Sequence, residues 1–479
     1  MKIFKLLITF CLATLFLTGH TQTATSIADG DWLSPFTWNC TCVPTPGYTV
    51  IINNNVILNT SFSLPSGGIT VNAGASLIED ATPRDIMISG GSLVNNGTTQ
   101  FRFLLAQSGS VSNTDTLRLK SFASYVSFTN SGSILQLDSF YNAGIFSNTG
   151  LVEASKFFNQ DSLLNTGTFT GVDSFFNNGS LRNAGSITTP TFFNNTTLYN
   201  DGLITGVDSM TNAGYFLNSN TATLNADSLW NYSNFINDGA ITNIAFLNTG
   251  SLTNNGHMAF KDASNLGNLT NSDTMQGSHS ISNAGQFNNA SGAQLLLGGS
   301  FANSNAISHN AVFIDNGTVR ADSNWLNTDT VRGTSGKFIV QFETSNTGEM
   351  LGSFDFCDLT PPPTAPFIDF NSGTISANIT WCSPTAGISE PGRDAGSVFN
   401  FQVNSPVFNN NLSLQFNLNQ PADVLWRICD ISGKVLLTGK ALNVLSASEQ
   451  IGVATLASGI YLVTASAGNE VITRRFAKF

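Results

Sequence analysis

The residues of this sequence that could do chemistry are acids that recur through the middle of the chain. They share a position within a repeated segment and are Asp138, Glu153, Asp173, Asp208, Asp227 and Asp262. A pair of carboxylates can cleave a glycosidic bond, and clustered aspartates can bind Ca²⁺ beside a Lys or Arg base. Between Ser121 and Phe260 the only basic residues are Lys156 and Arg182. We therefore interpret the acids as a solvated edge, with a carbohydrate-active enzyme, either a polysaccharide lyase or a hydrolase, as the alternative hypothesis.

Other signatures of catalysis and binding do not occur in the sequence. His257, His279 and His309 lack the spacing of metal ligands, and there is neither a Gly-x-Ser-x-Gly elbow nor a phosphate-binding loop. Only 10% of the residues are charged, and 19 Lys and Arg stand against 30 Asp and Glu, for a net charge of −11. A chain of that charge repels phosphate backbones. We expect no catalytic residue, no cofactor, no metal and no nucleic-acid partner.

The elements that would position these acids are short repeats between about residues 125 and 300. An apolar residue returns every 17 to 19 positions, at Phe128, Phe146, Leu163, Leu181, Leu198, Phe216, Phe235, Leu252, Leu269 and Phe287. Two positions after these comes an Asn column, formed by Asn130, Asn148, Asn165, Asn183, Asn200, Asn218, Asn237, Asn254, Asn271 and Asn289. A second apolar column, which includes Ala222 and Ala293, follows four residues later, and a second Asn column runs from Asn142 to Asn283.

Apolar residues and Asn alternate with a period of two, which is typical of β-strands and incompatible with an α-helix. Asn-x-Gly would form sharp corners, because both residues tolerate left-handed backbone angles. If the units stack as coils, equivalent residues lie about 4.8 Å apart and the Asn amides can hydrogen-bond from coil to coil. The sequence therefore predicts an all-β protein with a parallel β-helix, or β-solenoid, of 17–19-residue coils.

Two other structures fit the repeats less well than the solenoid does. A polar low-complexity region would have this composition, but a disordered chain has no reason to keep an apolar residue at ten equivalent positions. A propeller needs repeats of about 40 residues or more. Because the coil length drifts, whereas a strict hexapeptide helix would keep 18 residues, we favour a right-handed helix. In a rod of roughly 17 coils, Asp138, Asp173 and Asp208 would lie about 10 Å apart, too far for one ion.

The two ends of this solenoid are marked by a change of composition. Lys2 and Lys5 precede an apolar segment, Leu6 to Leu17, which predicts a signal peptide over residues 1–22. We expect an amino-terminal cap over residues 23–50, the solenoid passenger over 51–382 and a linker over 383–404. Later apolar runs stay below 18 residues, so we predict no transmembrane span in the mature protein.

Export would place the five remaining cysteines in an oxidising compartment. Cys357 and Cys382 flank a Pro-rich turn and are the candidate disulfide, which would stabilise the fold by roughly 3 kcal/mol. Cys40 and Cys42 have no second pair nearby, so zinc is a weak alternative there and their pairing stays open. Cys429 lies in an apolar run and is interpreted as buried packing.

Alternating strands resume near the carboxy terminus and predict a small β-sandwich over residues 405–479. The segments Ile428 to Val435, Leu456 to Val463 and Arg474 to Phe479 resemble the type A carboxy-terminal sorting domain of the type IX secretion system of Bacteroidota. The matching motif residues are Asp430, Gly433, Lys434, Leu456, Gly459, Tyr461, Arg474, Arg475 and Lys478. Asn404-Ser405-Pro406 replaces the Pro-Asn-Pro-like turn at which such domains usually start. An immunoglobulin-like binding module is the other interpretation.

This resemblance implies that the type IX secretion machinery is a partner and that the protein is secreted, to the outer-membrane surface or beyond. The Trp32 and Trp38 segment and the Asn-x-Gly coils are also similar to secreted β-helix passengers of the same bacteria, and loosely to filamentous haemagglutinin-type adhesins. That second resemblance indicates architecture and not activity.

We therefore predict a surface-displayed structural or adhesive protein that could contact surface glycans or other cells. Aromatic residues beside the second Asn column are Tyr141, Phe158, Phe176, Phe193 and Trp230. They would stack on sugars if they point outward, but we favour the interpretation that they are additional core residues. Ice binding is disfavoured, because the Thr columns are broken by Ser, Ala, Asn and Asp.

Overall fold

The computed structural model describes residues 22–305, 310–360, 362, 364–382, 399–403, 411–430, 434–457, 459–467 and 470–478. The chain divides into two compact units, Met1–Ser383 and Pro384–Phe479. The predicted signal peptide lies outside the described residues except for its last position, and so does most of the predicted linker.

The strands of the first unit all pair in parallel, coil upon coil, which confirms the predicted solenoid of about 17 turns. Each coil contributes one layer to each of three sheets. Sheet 1 contains Thr23–Thr25, Thr49–Ile52, Gly68–Val71, Phe128–Asn130, Ile145–Asn148, Ser162–Asn165, Ser180–Asn183, Thr197–Asn200, Tyr215–Asn218, Asn234–Asn237, Ser251–Asn254, Asn268–Asn271, Gln286–Asn289, Val312–Asp315, Thr330–Gly333, Glu349–Gly352 and Thr374–Ile375.

The other two sheets follow the same order along the chain. Sheet 2 contains Gly30–Asp31, Asn55–Leu58, Ser76–Glu79, Thr168–Thr170, Ser186–Thr188, Leu203–Val207, Thr223–Ala226, Thr274–Gly277, Gln294–Leu297, Thr318–Ala321, Lys337–Val340, Asp355–Asp358 and Thr380–Trp381. Sheet 3 contains Phe62–Leu64, Ser174–Asn177, Thr191–Asn194, Ser209–Asn212, Ser228–Asn231, Ile281–Asn283, Phe301–Asn303, Trp325–Asn327, Thr344–Asn346 and Phe370–Asn371. Longer strands that pass through more than one sheet are Asp85–Asn95, Thr98–Asn113, Thr116–Ser124, Ser133–Asn142, Leu151–Asn159, Ala240–Asn248 and His257–Asn265.

The coil is therefore a triangle with one gentle bend and two sharp corners. The bend joins sheet 2 to sheet 3 within a single strand in coils such as Leu151–Asn159. The two sharp corners follow the Asn residues that end the strands of sheets 3 and 1, for example Asn142 and Asn148.

Glycine is needed at these corners for a different reason from the predicted one. Gly144 does not adopt a positive φ, so left-handed geometry is the wrong explanation there. A Cβ atom added to Gly144 would lie 2.3 Å from the carbonyl oxygen of Val126 in the preceding coil. The close approach of the preceding backbone leaves no room for a side chain at Gly144, although the equivalent corner of the next coil holds Asp161.

The interior of the solenoid is one continuous cluster of apolar side chains. The column that starts at Phe128 is buried and in register, with Phe128 opposite Phe146 and Leu163 opposite Leu181. The prediction is wrong for two members of the second apolar column. Leu224 and Leu295 occupy its register positions and not Ala222 and Ala293, because those two coils contain two extra residues.

Aromatic side chains and disulfides fix the two ends of the solenoid. Trp32 stacks on Phe62 with 4.7 Å between ring centroids, and its carbonyl accepts a 2.9 Å hydrogen bond from the indole of Trp38. A 3₁₀ helix, Pro35–Thr37, lies between the two Trp. Cys357 is bonded to Cys382 near the last coil, and Cys40 is bonded to Cys42 near the first. Cys429, in the second unit, is a buried free thiol.

The second unit is antiparallel and consists of Phe399–Val403, Asn411–Asp430, Val435–Gly452, Gly459–Ala467 and Glu470–Lys478. All five strands belong to one sheet, and the two long strands shift register between Asn417 and Val424. Side chains on both sides of this irregularity, such as Leu412 and Val463, belong to one buried cluster. The predicted small β-domain is thus one sheet whose two halves share a core.

Candidate functional site

The Asn side chains of sheet 1 form an uninterrupted ladder of hydrogen bonds along the solenoid. Each buried amide Nδ2 donates to the Oδ1 of the next coil over 2.6–2.9 Å. The ladder contains all ten Asn of the first column and begins earlier, at Asn95 and Asn113. It ends where Asn289 donates to the carboxylate of Asp315 over 2.8 Å.

The second Asn column forms an equivalent ladder on sheet 3, from Asn142 to Asn371, with distances of 2.7–2.8 Å. The amides also bond backbone carbonyls at the corners: Asn142 donates to Ser162 O over 3.0 Å. Every bond in both ladders runs in the same chain direction, so the Oδ1 of the first amide receives no bond from another Asn. In the first ladder Thr99 Oγ1 donates to Asn95 Oδ1 instead. Asn142 Oδ1 is buried and unpartnered.

Asp315 terminates the first ladder inside the solenoid. It is fully buried, and the next two residues of its register column, Gly333 and Gly352, have no side chain to continue the ladder. Burial raises the pKa of Asp315 from 3.8 to about 7, although hydrogen bonds from Asn289 and from the backbone of Gly317 lower it in part. The pKa shift follows from replacing an amide by an ionisable group at a dry position.

The acids considered for catalysis lie on the outside. Asp138, Asp173 and Asp208 are exposed and precede sheet 3 strands of alternate coils, whereas Glu153 belongs to sheet 2, opposite Thr170. Its assignment to the same column was wrong, because the bend between sheets 2 and 3 varies in length.

Two of these acids have basic neighbours. Asp227 lies 3.7 Å from Lys261, and Asp262 lies 3.0 Å from His279, a hydrogen bond that lowers the pKa of Asp262. Within the described part of the chain, no group of three His, Cys, Asp or Glu side chains comes close enough to hold a metal ion.

The aromatic residues beside the second Asn column point outward, so their interpretation as core residues is wrong. Phe158, Phe176 and Phe193 are half-buried and lie directly above one another, with ring centroids 4.9 and 5.0 Å apart and rings parallel within 5°. Phe176 therefore has a ring on each of its faces, while Phe158 and Phe193 each have one face covered by Phe176. Trp230 differs, since it is 42% exposed and its neighbours in the column are Thr211 and Leu247.

The motif residues of the second unit converge at one end of its sheet. Asp430 pairs with Tyr461, Tyr461 with Phe476, and Gly459 with Lys478, so three strands bring them onto adjacent register positions. They are dispersed over almost 50 residues of sequence. The antiparallel topology is what assembles them.

Side-chain hydrogen bonds tie this end of the sheet to the turn that precedes Gly459. Tyr461 Oη donates to Ala457 O over 2.7 Å, as in a tyrosine corner. The buried ammonium of Lys478 donates to the carbonyls of Leu456 and Ala454. These contacts hold the turn rigidly against the sheet.

The other motif residues are at the neighbouring turn and on the last strand. The backbone N–H of Lys434 donates to Asp430 Oδ1 over 3.1 Å, while Gly433 lies outside the described residues. Arg474 is half-buried and pairs with Val463, and the backbone of Arg475 pairs with Leu462.

The fold and this cluster define a class of protein: a repetitive β-solenoid joined to a small antiparallel domain with a conspicuous terminal motif. Residues 406–478 match the family model of the secretion system C-terminal sorting domain. The second unit is thus a sorting domain of the type IX secretion system. No curated protein and no solved structure matches the chain.

A sorting domain of this kind implies export through the type IX system and a destination at the cell surface or outside the cell. Among the described residues we find no helix with the length and hydropathy of a membrane span.

Proposed function

We propose that this protein is a surface-displayed solenoid with a structural or adhesive role and without catalytic activity. The observation that carries the proposal is the pair of amide ladders from Asn95 to Asp315 and from Asn142 to Asn371. They join coil to coil with identical links, and the side chains outside the coils repeat instead of converging. Such a structure is an extended scaffold that presents a periodic polar surface.

Three finer inferences belong to the same proposal. Residues 1–22 act as a signal peptide that takes the chain across the inner membrane, as the family resemblance implies. The producing organism is a member of the Bacteroidota. The outer faces of the solenoid contact surface glycans or other cells, which is in keeping with the low charge of these faces.

Export is tested by deletion of residues 406–479 in the producing cell. The full chain should reach the surface, detected by antibody labelling of intact cells, while the deletion variant should remain inside. Protease resistance of the retained variant would show that the solenoid still folds. Surface labelling of the deletion variant would contradict the assignment.

Adhesion is tested with the purified protein on intact cells and on immobilised polysaccharides. We expect binding without release of reducing ends or unsaturated uronates. Release of such products that is lost in Asp173→Asn or Asp208→Asn would instead establish the enzyme hypothesis. If the protein binds none of the cells and none of the polysaccharides, the proposed adhesive role is wrong.

A further inference from the structure

One outer face of the solenoid carries an apolar column that nothing in the described chain covers. On sheet 3, nine successive coils place their outward residues in register: Leu105, Ala123, Tyr141, Phe158, Phe176, Phe193, Thr211, Trp230 and Leu247. We name this column the apolar ridge. At about 4.8 Å per coil it is about 38 Å long. Thr211 is the one polar residue with no aromatic ring in this column, and exposed apolar surface of this extent is typical of interaction sites.

A column that is mostly Ser and Thr, with the large residues Phe103 and Lys156 as exceptions, runs beside the ridge on the same face. Two positions earlier in each strand lie Phe103, Ser121, Ser139, Lys156, Ser174, Thr191, Ser209, Ser228 and Ala245. Most are Ser or Thr, and Lys156 is the one charged residue in either column. Since residues two apart in a strand are separated by about 7 Å, a tall column stands next to a shallow groove of similar width.

We propose that this face docks against the same face of a second copy, with the ridge of each copy in the groove of the other. A two-fold axis parallel to the coil stacking direction, midway between the columns, places each ridge over the opposite groove. Such an interface is isologous and self-complementary in shape. It also leaves both copies running in the same direction.

The chemistry of the ridge favours a protein face over a sugar as occupant. A sugar ring stacks on the face of an aromatic ring, but both faces of Phe176 and one face each of Phe158 and Phe193 are covered by a neighbouring ring. Their edges and methylene groups suit the close packing of two sheet faces, which lie about 10 Å apart when they interdigitate. Two columns over nine coils would bury about 1,000 Å² in total, near the lower limit of specific interfaces.

This area predicts a weak, concentration-dependent dimer. The inference concerns purified protein and does not depend on export or adhesion, so either proposal can fail alone. Sedimentation velocity of the full chain over a wide concentration range should show monomer and dimer in exchange. Phe176→Lys places a charge in the middle of the ridge and should weaken association at least tenfold. Ser209→Trp fills the groove and should do the same.

The matched control is Leu164→Lys on sheet 1, where the residue replaced is also outward and is 42% exposed. It should leave the dimer unchanged. If Phe176→Lys fails to fold, Phe176→Thr keeps the residue type found at Thr211 in the same column. A monomer at every concentration, or a dimer insensitive to both ridge and groove variants, would overturn the proposal. So would a monomer whose ridge variants lose binding to a glycan.

Discussion

The two units of this protein bury polar groups in opposite ways. In the solenoid, every central coil encloses two Asn side chains, and the ladders they form are part of the interior. In the sorting domain the buried cluster is apolar, and Ser413 and Lys478 are the buried polar residues among those described. The solenoid therefore distributes its stability over equivalent links, whereas the sorting domain depends on a few contacts at one end of a sheet.

The two units also differ in net charge. Residues 22–382 contain 10 Lys and Arg against 24 Asp and Glu, while residues 399–479 contain six against four. Coil stacking spreads equivalent acids along a line and brings distant ones no closer, which explains why no three of them come together to hold a metal ion among the described residues. The antiparallel domain does the reverse, since it places Asp430 and Phe476 on either side of Tyr461.

The largest effect is expected from breaking a ladder in its middle. Asn212→Ala removes the acceptor of Asn194, leaves the buried Oδ1 of Asn231 without its donor and opens a cavity. Orphaned buried polar groups cost about 1–3 kcal/mol each, so we expect the solenoid to lose roughly 4 kcal/mol. Denaturant unfolding of the full chain measures this loss.

The control for this variant is an exposed Asn pair in the same part of the solenoid. Asn195 donates to Asn178 over 2.6 Å at the surface. Asn195→Ala should change the unfolding free energy by less than about 0.5 kcal/mol. Equal losses for the two variants would show that the ladders do not carry the stability of the solenoid.

The end of the first ladder should respond to pH. The pKa of Asp315 is 3.8 in the unfolded chain and about 7 in the folded chain, because the buried carboxylate is desolvated. A raised folded pKa means that this group costs stability progressively between pH 4 and pH 7, after which the cost is constant. Asp315→Asn cannot ionise, so it should be more stable than the parent above pH 7, by roughly 4 kcal/mol.

The comparison is made by unfolding both proteins across this pH range. The stability difference between Asp315→Asn and the parent should rise from pH 4 to pH 7 and then level off. A constant difference at all pH values would mean that Asp315 does not titrate in this range.

Much of this architecture follows from the sequence, because one rule fixes all the coils. The Asn columns predict both ladders in the regular block, but not Asn303, Asn327 and Asn371, which follow the preceding Asn of the ladder by 20, 24 and 25 residues. Residues inserted between the strands of a coil change the spacing of Asn in the sequence, but the strands keep their register. The sequence therefore indicates the sheet more reliably at the centre than at the ends.

The orientation of the aromatic column could have been predicted. In Phe157-Phe158-Asn159, the period of two places Phe158 outward once Asn159 is assigned inward, as the structure has it. The arrangement of the motif residues in the sorting domain could not be predicted from the sequence alone. That Asp430 lies opposite Tyr461 depends on the pairing of strands far apart in the chain, which a motif does not specify.

Removal of the first amide of the second ladder should cost less than removal of a middle one. Asn142 donates to Asn159 Oδ1 and to Ser162 O, but its own Oδ1 is already unpartnered. Asn142→Ala removes the unpartnered Oδ1 and two hydrogen bonds. It leaves a different buried acceptor, Asn159 Oδ1, without a donor. We expect a loss of roughly 2 kcal/mol in denaturant unfolding, about half of that for Asn212→Ala. Equal losses would mean that position in the ladder is irrelevant.

The smallest effect should come from the sorting domain. Tyr461→Phe keeps the ring against Phe476, 5.5 Å away, and removes only the hydrogen bond to Ala457 O. A single hydrogen bond contributes about 1 kcal/mol. Hydrogen exchange should therefore quicken at the turn before Gly459 and remain unchanged in the ladders. Faster exchange of the backbone N–H groups in the solenoid strands would contradict this comparison. It would mean that the contacts of the sorting domain do not act locally.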